Sequence, residues 1–347
     1  MACPFCNPGE SDLFSDMSEA QAVVLINKVA TRKYKIIESL KGNAKLGRVI
    51  VAAEPQGKLG KKGRLLLSTA GPPNLPYWSD APRVLNPEEL QFARQAIALE
   101  KKSKKVQWDF VAQNLQHKSS EIANAAYNTL AGVPLAEVQK RYKIPGKQRL
   151  LAWAKDPKIK PEKRALYLLM VSPQLDHTHK SWISKRLFSS SLPTNSSLIG
   201  PLTVAYLQTA GHSGLPKIEE RFYSSELPAG RITPLNRALT LAYEQSEELT
   251  LKSEIRKLFA RELKSQQRGA FVLAPLAIWQ DYSVAGRVEK LFQLNADLVW
   301  VKVAVIRYFR SFQNPQALAT LQRLSLQEPS LVQRTTDGYK RSDLGID

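Results

Sequence analysis

The sequence has little of what most catalytic and metal centres are built from. Its 347 residues include two cysteines and four histidines. No His-Glu-x-x-His, Gly-x-Ser-x-Gly or Gly-x-Gly-x-x-Gly pattern occurs, so three common signatures of zinc proteases, hydrolases and dinucleotide-binding enzymes are missing. We therefore expect no catalytic residues, no metal site and no cofactor.

Long apolar runs are missing as well. The longest candidate, residues 22–26, falls far short of the roughly 18 residues that a membrane-spanning helix needs. Ahead of Cys3 there is also no basic segment followed by an apolar one, as a signal peptide requires. Taken alone, these absences predict a cytoplasmic protein without a membrane span.

The two cysteines, Cys3 and Cys6, form Cys-Pro-Phe-Cys. Thioredoxin-like sites share this spacing but need a preceding strand, and only two residues precede Cys3. One such pair also supplies only half of a four-thiolate zinc site. The favoured interpretation is a structural disulfide or tether; unpaired thiols, redox chemistry and metal binding are the alternatives.

Positive charge, in contrast, is in large excess. Fifty Lys and Arg residues against 31 Asp and Glu give a net charge of +19. Eleven of these cations fall between Lys28 and Arg64, where Glu38 and Glu54 are the only carboxylates. A field of this sign attracts nucleic acids, anionic glycans and anionic lipid headgroups.

A second basic cluster covers residues 140–164, with ten cations against two carboxylates. A helix dipole explains some lysines at helix C-termini, but ten cations in this stretch exceed what capping needs. In the first cluster, three glycines punctuate the loop 56–63, which indicates a basic hairpin tip able to follow an irregular anionic backbone. The candidate polyanion-binding residues are Lys58, Lys61, Lys62, Arg64, Lys155, Lys158, Lys160 and Lys163.

The apolar pattern changes near residue 86. Before it, alternation and Val/Ile/Leu runs predict strands at 22–30, 32–40, 48–53 and 64–69, followed by a proline-rich connector at 70–86. After it, Asn86-Pro87-Glu88-Glu89 has the composition of a helix start, and apolar residues recur at helical spacing to about residue 330.

The predicted helices come in pairs whose second members are the more apolar ones. These members are centred near Leu168, Ala205, Leu239, Ala274 and Val305, 31 to 37 residues apart. This period is typical of an α-solenoid, in which each pair buries its apolar face against its neighbours; a globular helical bundle is the alternative. The predicted fold is α+β: a β-module at 1–86, a helical repeat domain at 87–330 and a flexible tail at 331–347.

Other polar and aromatic residues have structural explanations. His177-Thr178-His179 lies in a polar link where a solvated turn is expected rather than a metal site. The helical tryptophans, including Trp279, fit core packing. Asp281 beside Trp279 fits a helix N-cap, although some HEAT-like DNA glycosylases combine acids and tryptophans in a basic cleft.

Several motifs in this order resemble a group of secreted bacterial proteins. Their mature chains begin with Cys-Pro-Phe-Cys, continue into a netrin-like or tissue-inhibitor-of-metalloproteinases-like β-module, and end in HEAT-like helices. The matching residues are 3–6, 19–25, 34–42, 153–157, 164–167, 277–283 and 299–303. The tight turn at 30–33 departs from this pattern, and Met1-Ala2 would block the zinc chelation that a free N-terminal cysteine gives metalloproteinase inhibitors.

The resemblance implies an OB-like barrel, a HEAT-like solenoid and export to the periplasm or beyond, where Cys3 and Cys6 would be oxidised. The leading hypothesis is a non-enzymatic binding or scaffold protein that engages a protein or an anionic polymer, either glycan or nucleic acid. The alternative is a cytoplasmic HEAT-like nucleic-acid-binding protein, possibly a DNA-repair glycosylase. The oligomeric state does not follow from the sequence.

Overall fold

The computed structural model divides the chain into an N-terminal unit, residues 1–171, and a C-terminal unit, residues 172–347. The described residues are 3–6, 13–55, 63–70, 76–79, 81–190, 196–223, 229–266, 268–295 and 297–343. The order of elements is α+β, with a curled antiparallel half-barrel sheet followed by helices.

Within these ranges the sheet has six strands in the order β3-β2-β1-β4-β5, and β6 also pairs with β4. The strands are β1 Val23–Ala30, β2 Lys33–Lys41, β3 Val49–Val51, β4 Arg64–Ala70, β5 Tyr77–Trp78 and β6 Arg83–Leu85. The four predicted strands are therefore confirmed, whereas β5 and β6 lie in the segment predicted to be an irregular connector.

The uninterrupted apolar run at the start of β1 arises because both faces of the sheet are buried there. Successive side chains of a strand point to opposite faces. Val24 and Ile26 pack inside the curl of the sheet, and Val23 and Leu25 pack against helices on the other side.

The β1–β2 hairpin turns in two residues, as the sequence predicts. Ala30 pairs with Lys33, and Arg32 in the turn has a positive φ of 57°. Glu54 supports the turn by accepting the Arg32 backbone N–H at 3.1 Å. The Tyr34 hydroxyl donates to the Ala53 carbonyl at 3.0 Å from the inside of the curl.

Seven α-helices of the described chain belong to the N-terminal unit. They are α1 Leu13–Glu19, α2 Pro87–Leu99, α3 Lys104–Gln113, α4 Ser120–Gly132, α5 Leu135–Gln139, α6 Lys147–Lys155 and α7 Pro161–Val171. The predicted helix start at Asn86 is confirmed, because its side chain accepts from the backbone N–H groups of Glu88 and Glu89 and forms a capping box.

The compact N-terminal unit includes both the sheet and the helices that follow it, up to Val171. Its helix-side core contains Leu13 and Met17 of α1, Leu66 of β4, Phe92 of α2 and Ile122 of α4. Helices and sheet thus bury their apolar faces together in this unit.

Ten α-helices with described residues belong to the C-terminal unit. They are α8 Lys180–Leu187, α9 Ile199–Ala210, α10 Leu215–Ile218, α11 Ala229–Gln245, α12 Leu249–Glu262, α13 Leu273–Ile278, α14 Ala285–Leu294, α15 Val299–Arg310, α16 Pro315–Gln327 and α17 Pro329–Asp343. Short 3₁₀ turns or a π-helical turn precede or extend several of them. Helix α17 covers most of the range predicted to be a flexible tail.

Four of the five predicted helix centres are buried, among them Ala205 at 0% exposure. Leu168, Leu239 and Val305 are each at most 1% exposed. Ala274 is exposed instead, because it lies on the open side of α13 in a surface groove. Across the described ranges, no helix combines the length and apolarity needed to cross a bilayer.

Candidate polyanion-binding surface

The predicted hairpin tip lies mostly outside the described residues. Lys58, Lys61 and Lys62 fall there. Arg64 begins β4 and is exposed, and its Nη1 donates to the Gly63 carbonyl at 3.1 Å. Arg64 therefore lies at the start of strand β4.

Both carboxylates of the basic segment 28–64 are already engaged. Glu54 accepts from Lys28 Nζ at 2.7 Å, and the hydrogen bond from Lys28 lowers the pKa of Glu54. Glu38 accepts from Arg94 of α2 at 2.7 Å. Since Arg94 lies outside the segment, Glu38 neutralises none of the segment's own cations.

Lys41 has a structural role at the end of β2. Its ammonium lies 2.7 Å from Glu100 Oε1 and donates to the carbonyls of Met17 and Ser18 at 2.9 and 3.0 Å. These bonds tie the sheet to α1 and to the end of α2, so Lys41 is not available to a ligand.

Six cations of the segment remain exposed and have no ion-pair partner within the described part of the chain. They are Arg32, Lys33, Lys35, Lys45, Arg48 and Arg64. This excess of exposed charge is the main electrostatic feature of the β-module.

Lys33 and Lys35 form a pair on one face of β2. They alternate with the buried Tyr34 and Ile36, so their side chains leave the same outward face about 7 Å apart. We call Lys33 and Lys35 the β2 lysine pair. Sequence reasoning identified the charge of segment 28–64 but placed the site at the hairpin tip; the alternation with Tyr34 and Ile36 is the signal that could have identified this pair.

Edge strand β3 lies beside the β2 lysine pair. Val51 is the strand partner of Lys33, and Val49 is the partner of Lys35. Both valines are more than half exposed, at 65% and 51%. The surface therefore presents two cations next to open apolar contact area.

The second basic cluster separates into structural and exposed cations. Arg164 is buried and donates from Nε to the Ala154 carbonyl at 2.9 Å, which joins α7 to α6. Arg141 is also buried; it binds Glu137 at 2.9 Å and lies over the Trp108 ring at 5.0 Å. These two arginines therefore stabilise the fold.

Lys158, Lys160 and Lys163 surround the start of α7 and, among described residues, make no ion pair. Lys163 is half-buried, and its pKa is lowered by burial and then by the neighbouring charge of Lys160. Helix capping explains Lys155 at the end of α6 but not these three, because cations at the positive end of α7 oppose its dipole. We call them the α7 lysine cluster.

The other polar candidates make the contacts of helix ends. Asp176 caps the 3₁₀ turn His177–His179, and the hydrogen bond from Thr178 is the main cause of its lowered pKa. Asp281 accepts from the Ser283 backbone at 3.2 Å and from its hydroxyl at 2.6 Å. The cap at Asp281 is the role that the sequence predicts.

The tryptophans divide between packing and an open surface. Trp279 stacks on Tyr243 with ring centroids 3.8 Å apart, and Trp153 lies against Tyr167 at 5.3 Å. Trp300 remains 44% exposed and lines a groove.

Cys3 and Cys6 lie together at the start of the N-terminal unit. Their sulfur atoms are 1.98 Å apart, at bonding distance. Cys3 is buried and its backbone N–H donates to the Ala131 carbonyl of α4 at 3.2 Å. The pair thus fixes the N-terminal segment to a helix of the unit.

Within the described ranges, no three His, Cys, Asp or Glu side chains are grouped as a metal site would require. No protein-family model matches this chain, and no curated protein or solved structure is significantly similar to it.

Proposed function

We propose that this chain is a non-enzymatic binding or scaffold protein whose basic N-terminal unit engages an anionic polymer. One observation carries the proposal: Glu38 and Glu54 are both engaged, and six cations of segment 28–64 stay exposed without an ion-pair partner among described residues. Bringing many like charges together is unfavourable, and a polyanion would relieve that repulsion.

The spread of these cations favours a polymer over a small anion. The β2 lysine pair follows a strand, and the α7 lysine cluster surrounds a helix start in the same unit. Contacts of this kind bind successive charged groups of a backbone and carry no sequence information. Val49 and Val51 add apolar contact for the less polar parts of such a chain.

The proposal includes a more specific architecture and location. We propose that the curled sheet is an OB-type, netrin-like module and that the paired helices form a HEAT-like array able to present a surface to a protein partner. The bonded cysteine pair supports export to the periplasm or beyond, because such pairs persist in oxidising compartments.

The direct test is elution from heparin with matched charge variants. Lys33→Gln/Lys35→Gln and Lys158→Gln/Lys160→Gln/Lys163→Gln should each elute at lower salt than the parent. Lys185→Gln/Lys264→Gln/Lys290→Gln removes three exposed lysines of the C-terminal unit and should elute with the parent. Shifts that depend only on the number of charges removed, the same for the two triple variants, would show that net charge alone is responsible and would overturn the proposed surface.

A competition experiment separates the kinds of polymer. If heparin displaces bound labelled duplex DNA when both polymers are at equal charge concentration, the result supports a general polyanion site. The alternative of a DNA-repair glycosylase predicts base release from damaged duplex. Asp281, on which that alternative depends, is engaged as a cap.

A further inference from the structure

The C-terminal unit contains a surface groove between α13 and α15. The hollow has a volume of about 890 Å³. Ala270, Ala274, Ala277 and Ala304 line it with small side chains, and Trp300 stands beside them. We call this hollow the α13–α15 groove.

Helix α15 has exposed apolar side chains in addition to its buried apolar stripe. One side, with Val301, Val305 and Phe309, is fully buried. The other carries Val299 and Trp300, which are 57% and 44% exposed. The open side also carries the exposed cation Arg307, and the Trp300 ring contacts only its neighbour Phe271 among described aromatic rings, at 5.2 Å. Exposed apolar side chains therefore lie beside positive charge on this side of α15.

The opposite border of the groove is apolar as well. Ile278 at the end of α13 is 62% exposed and lines the same hollow as Trp300. Contiguous exposed apolar surface of this kind marks an interaction site more often than isolated exposed residues do. The alanines between the two borders leave room for large side chains of an incoming segment.

The groove is elongated. A second hollow of about 320 Å³ lies beside the first: Val299, Val303 and Arg307 of α15 line both, and Leu331 and Arg334 of α17 border the second. From Val299 to Arg307 the helix rises about 12 Å, more than two turns. An open trough of this length fits a helix with apolar residues at i, i+3, i+4 and i+7.

The charges beside the trough indicate the sign of its occupant. Arg307 is exposed and makes no ion pair with any described residue. Arg334 is exposed too, its Nε donates to the Ser330 carbonyl of its own helix at 3.2 Å, and it makes no ion pair with a described residue. Two arginines without carboxylate partners at one end of an apolar trough complement carboxylates that border the apolar stripe of a helix.

We propose that the α13–α15 groove binds an acidic amphipathic helix of a partner protein. The apolar stripe of that helix packs on Trp300, Ile278 and the alanine floor, and its carboxylates pair with Arg307 and Arg334. This surface is separate from the β2 lysine pair and the α7 lysine cluster, so either binding activity can fail without the other.

The test uses a fluorescent designed peptide of about 16 residues, with leucines at helical spacing and glutamates along one border of the leucine stripe. Binding is measured by anisotropy with the full chain. Ile278→Ser/Val299→Ser should weaken binding at least about tenfold, since both removed side chains contact the peptide. Leu249→Ser/Leu326→Ser is the control, because these leucines are 79% and 85% exposed and lie outside the groove.

Charge reversal tests the sign. The variant Arg307→Glu/Arg334→Glu should lose binding to the acidic peptide and gain binding to a peptide with lysines in place of the glutamates. The control Lys264→Glu/Lys290→Glu should keep binding the acidic peptide and should not bind the lysine peptide. Unchanged acidic-peptide binding by the arginine variant would overturn the proposal. It would also be overturned if sedimentation showed a dimer that Ile278→Ser/Val299→Ser dissociates, because a second copy would then occupy the groove.

Discussion

Glu54 joins three parts of the β-module although its side chain is exposed. It accepts from Lys28 of β1 at 2.7 Å, from the Arg32 backbone in the tight turn at 3.1 Å, and from the Tyr34 hydroxyl at 3.3 Å. Arg32 has a positive φ, a conformation that non-glycine residues adopt rarely. The carboxylate therefore stabilises a turn that the backbone alone disfavours.

Glu54→Gln should lower the thermal unfolding midpoint at pH 7. The folded state lowers the pKa of Glu54, chiefly through the hydrogen bond from Lys28. Its contribution is thus fully present above the unfolded pKa of about 4.3 and is lost as pH falls through the lower folded pKa. The difference between parent and variant should shrink in that acidic range, while Glu244→Gln, at an exposed position, should show no difference. A difference that stays constant down to strong acid would contradict the assigned role.

Cys3 and Cys6 should form a disulfide in the protein purified without reductant. Mass spectrometry of non-reduced peptides should find one cross-linked N-terminal peptide, two hydrogens lighter than the dithiol. Two free thiols would remove both the bond and part of the support for export.

At the scale of elements, α2 begins at a capping box that also connects to α4. Asn86 accepts from the Glu88 and Glu89 backbone at 2.9 and 3.0 Å, and Glu89 accepts from the Ser119 hydroxyl at 2.6 Å. The cap thus fixes where the helical part of the chain starts and how its first helix meets α4.

Asn86→Ala should reduce the free energy of unfolding by about 1 kcal/mol. Asn86→Asp keeps a hydrogen-bond acceptor and should retain most of the parent's free energy of unfolding. Asn43→Ala, at an exposed loop position, should leave that free energy unchanged. Urea titrations followed by circular dichroism provide the measurement. An alanine variant as stable as the parent would show that the cap is dispensable.

Leu168→Asp should unfold more than the α6–α7 hairpin. Leu168 is 1% exposed, and a carboxylate buried there without a partner costs several kcal/mol. If the helical pairs depend on their neighbours, hydrogen exchange should become faster in helices beyond α6 and α7. Ala152→Asp, on the exposed side of α6, is the matched control. Faster exchange confined to α6 and α7 would favour independent units.

Periodicity predicted the long elements because each has a buried face. It missed α1, whose seven residues contain only Leu13 and Met17 as fully buried positions, too few to show a period. It also missed β5 and β6, which have two and three residues and exist through pairing with β4. The position of Ala274 depends on which neighbours approach α13, and sequence spacing does not contain that information.

The candidate site shows the same division between local and long-range information. The excess of positive charge is visible in the sequence, but the pairing of Arg94 with Glu38 joins residues 56 positions apart. That pairing, and those of Lys28 and Lys41, decide which cations stay exposed. Sequence reasoning therefore identified the charged segment and not the β2 lysine pair.

At the scale of the whole molecule, charge and apolar contact are assigned to different surfaces. The N-terminal unit holds the β2 lysine pair and the α7 lysine cluster, and the C-terminal unit holds the α13–α15 groove. If both proposals hold, the chain connects an anionic polymer to a protein partner. A scaffold of this kind needs no catalytic residue.

The central claim, that the β-module binds a polyanion through defined cations, is tested most directly by the salt dependence of duplex DNA binding. The logarithm of the binding constant should fall linearly with the logarithm of salt concentration, and Lys33→Gln/Lys35→Gln should reduce the slope by about 0.9 for each phosphate that the variant no longer neutralises. Lys264→Gln/Lys290→Gln, with the same charge change, should keep the parent slope. The hairpin tip is tested in the same way by the variant Lys58→Gln/Lys61→Gln/Lys62→Gln/Arg64→Gln. If Lys33→Gln/Lys35→Gln binds duplex DNA with the same salt slope and affinity as the parent, the account is contradicted.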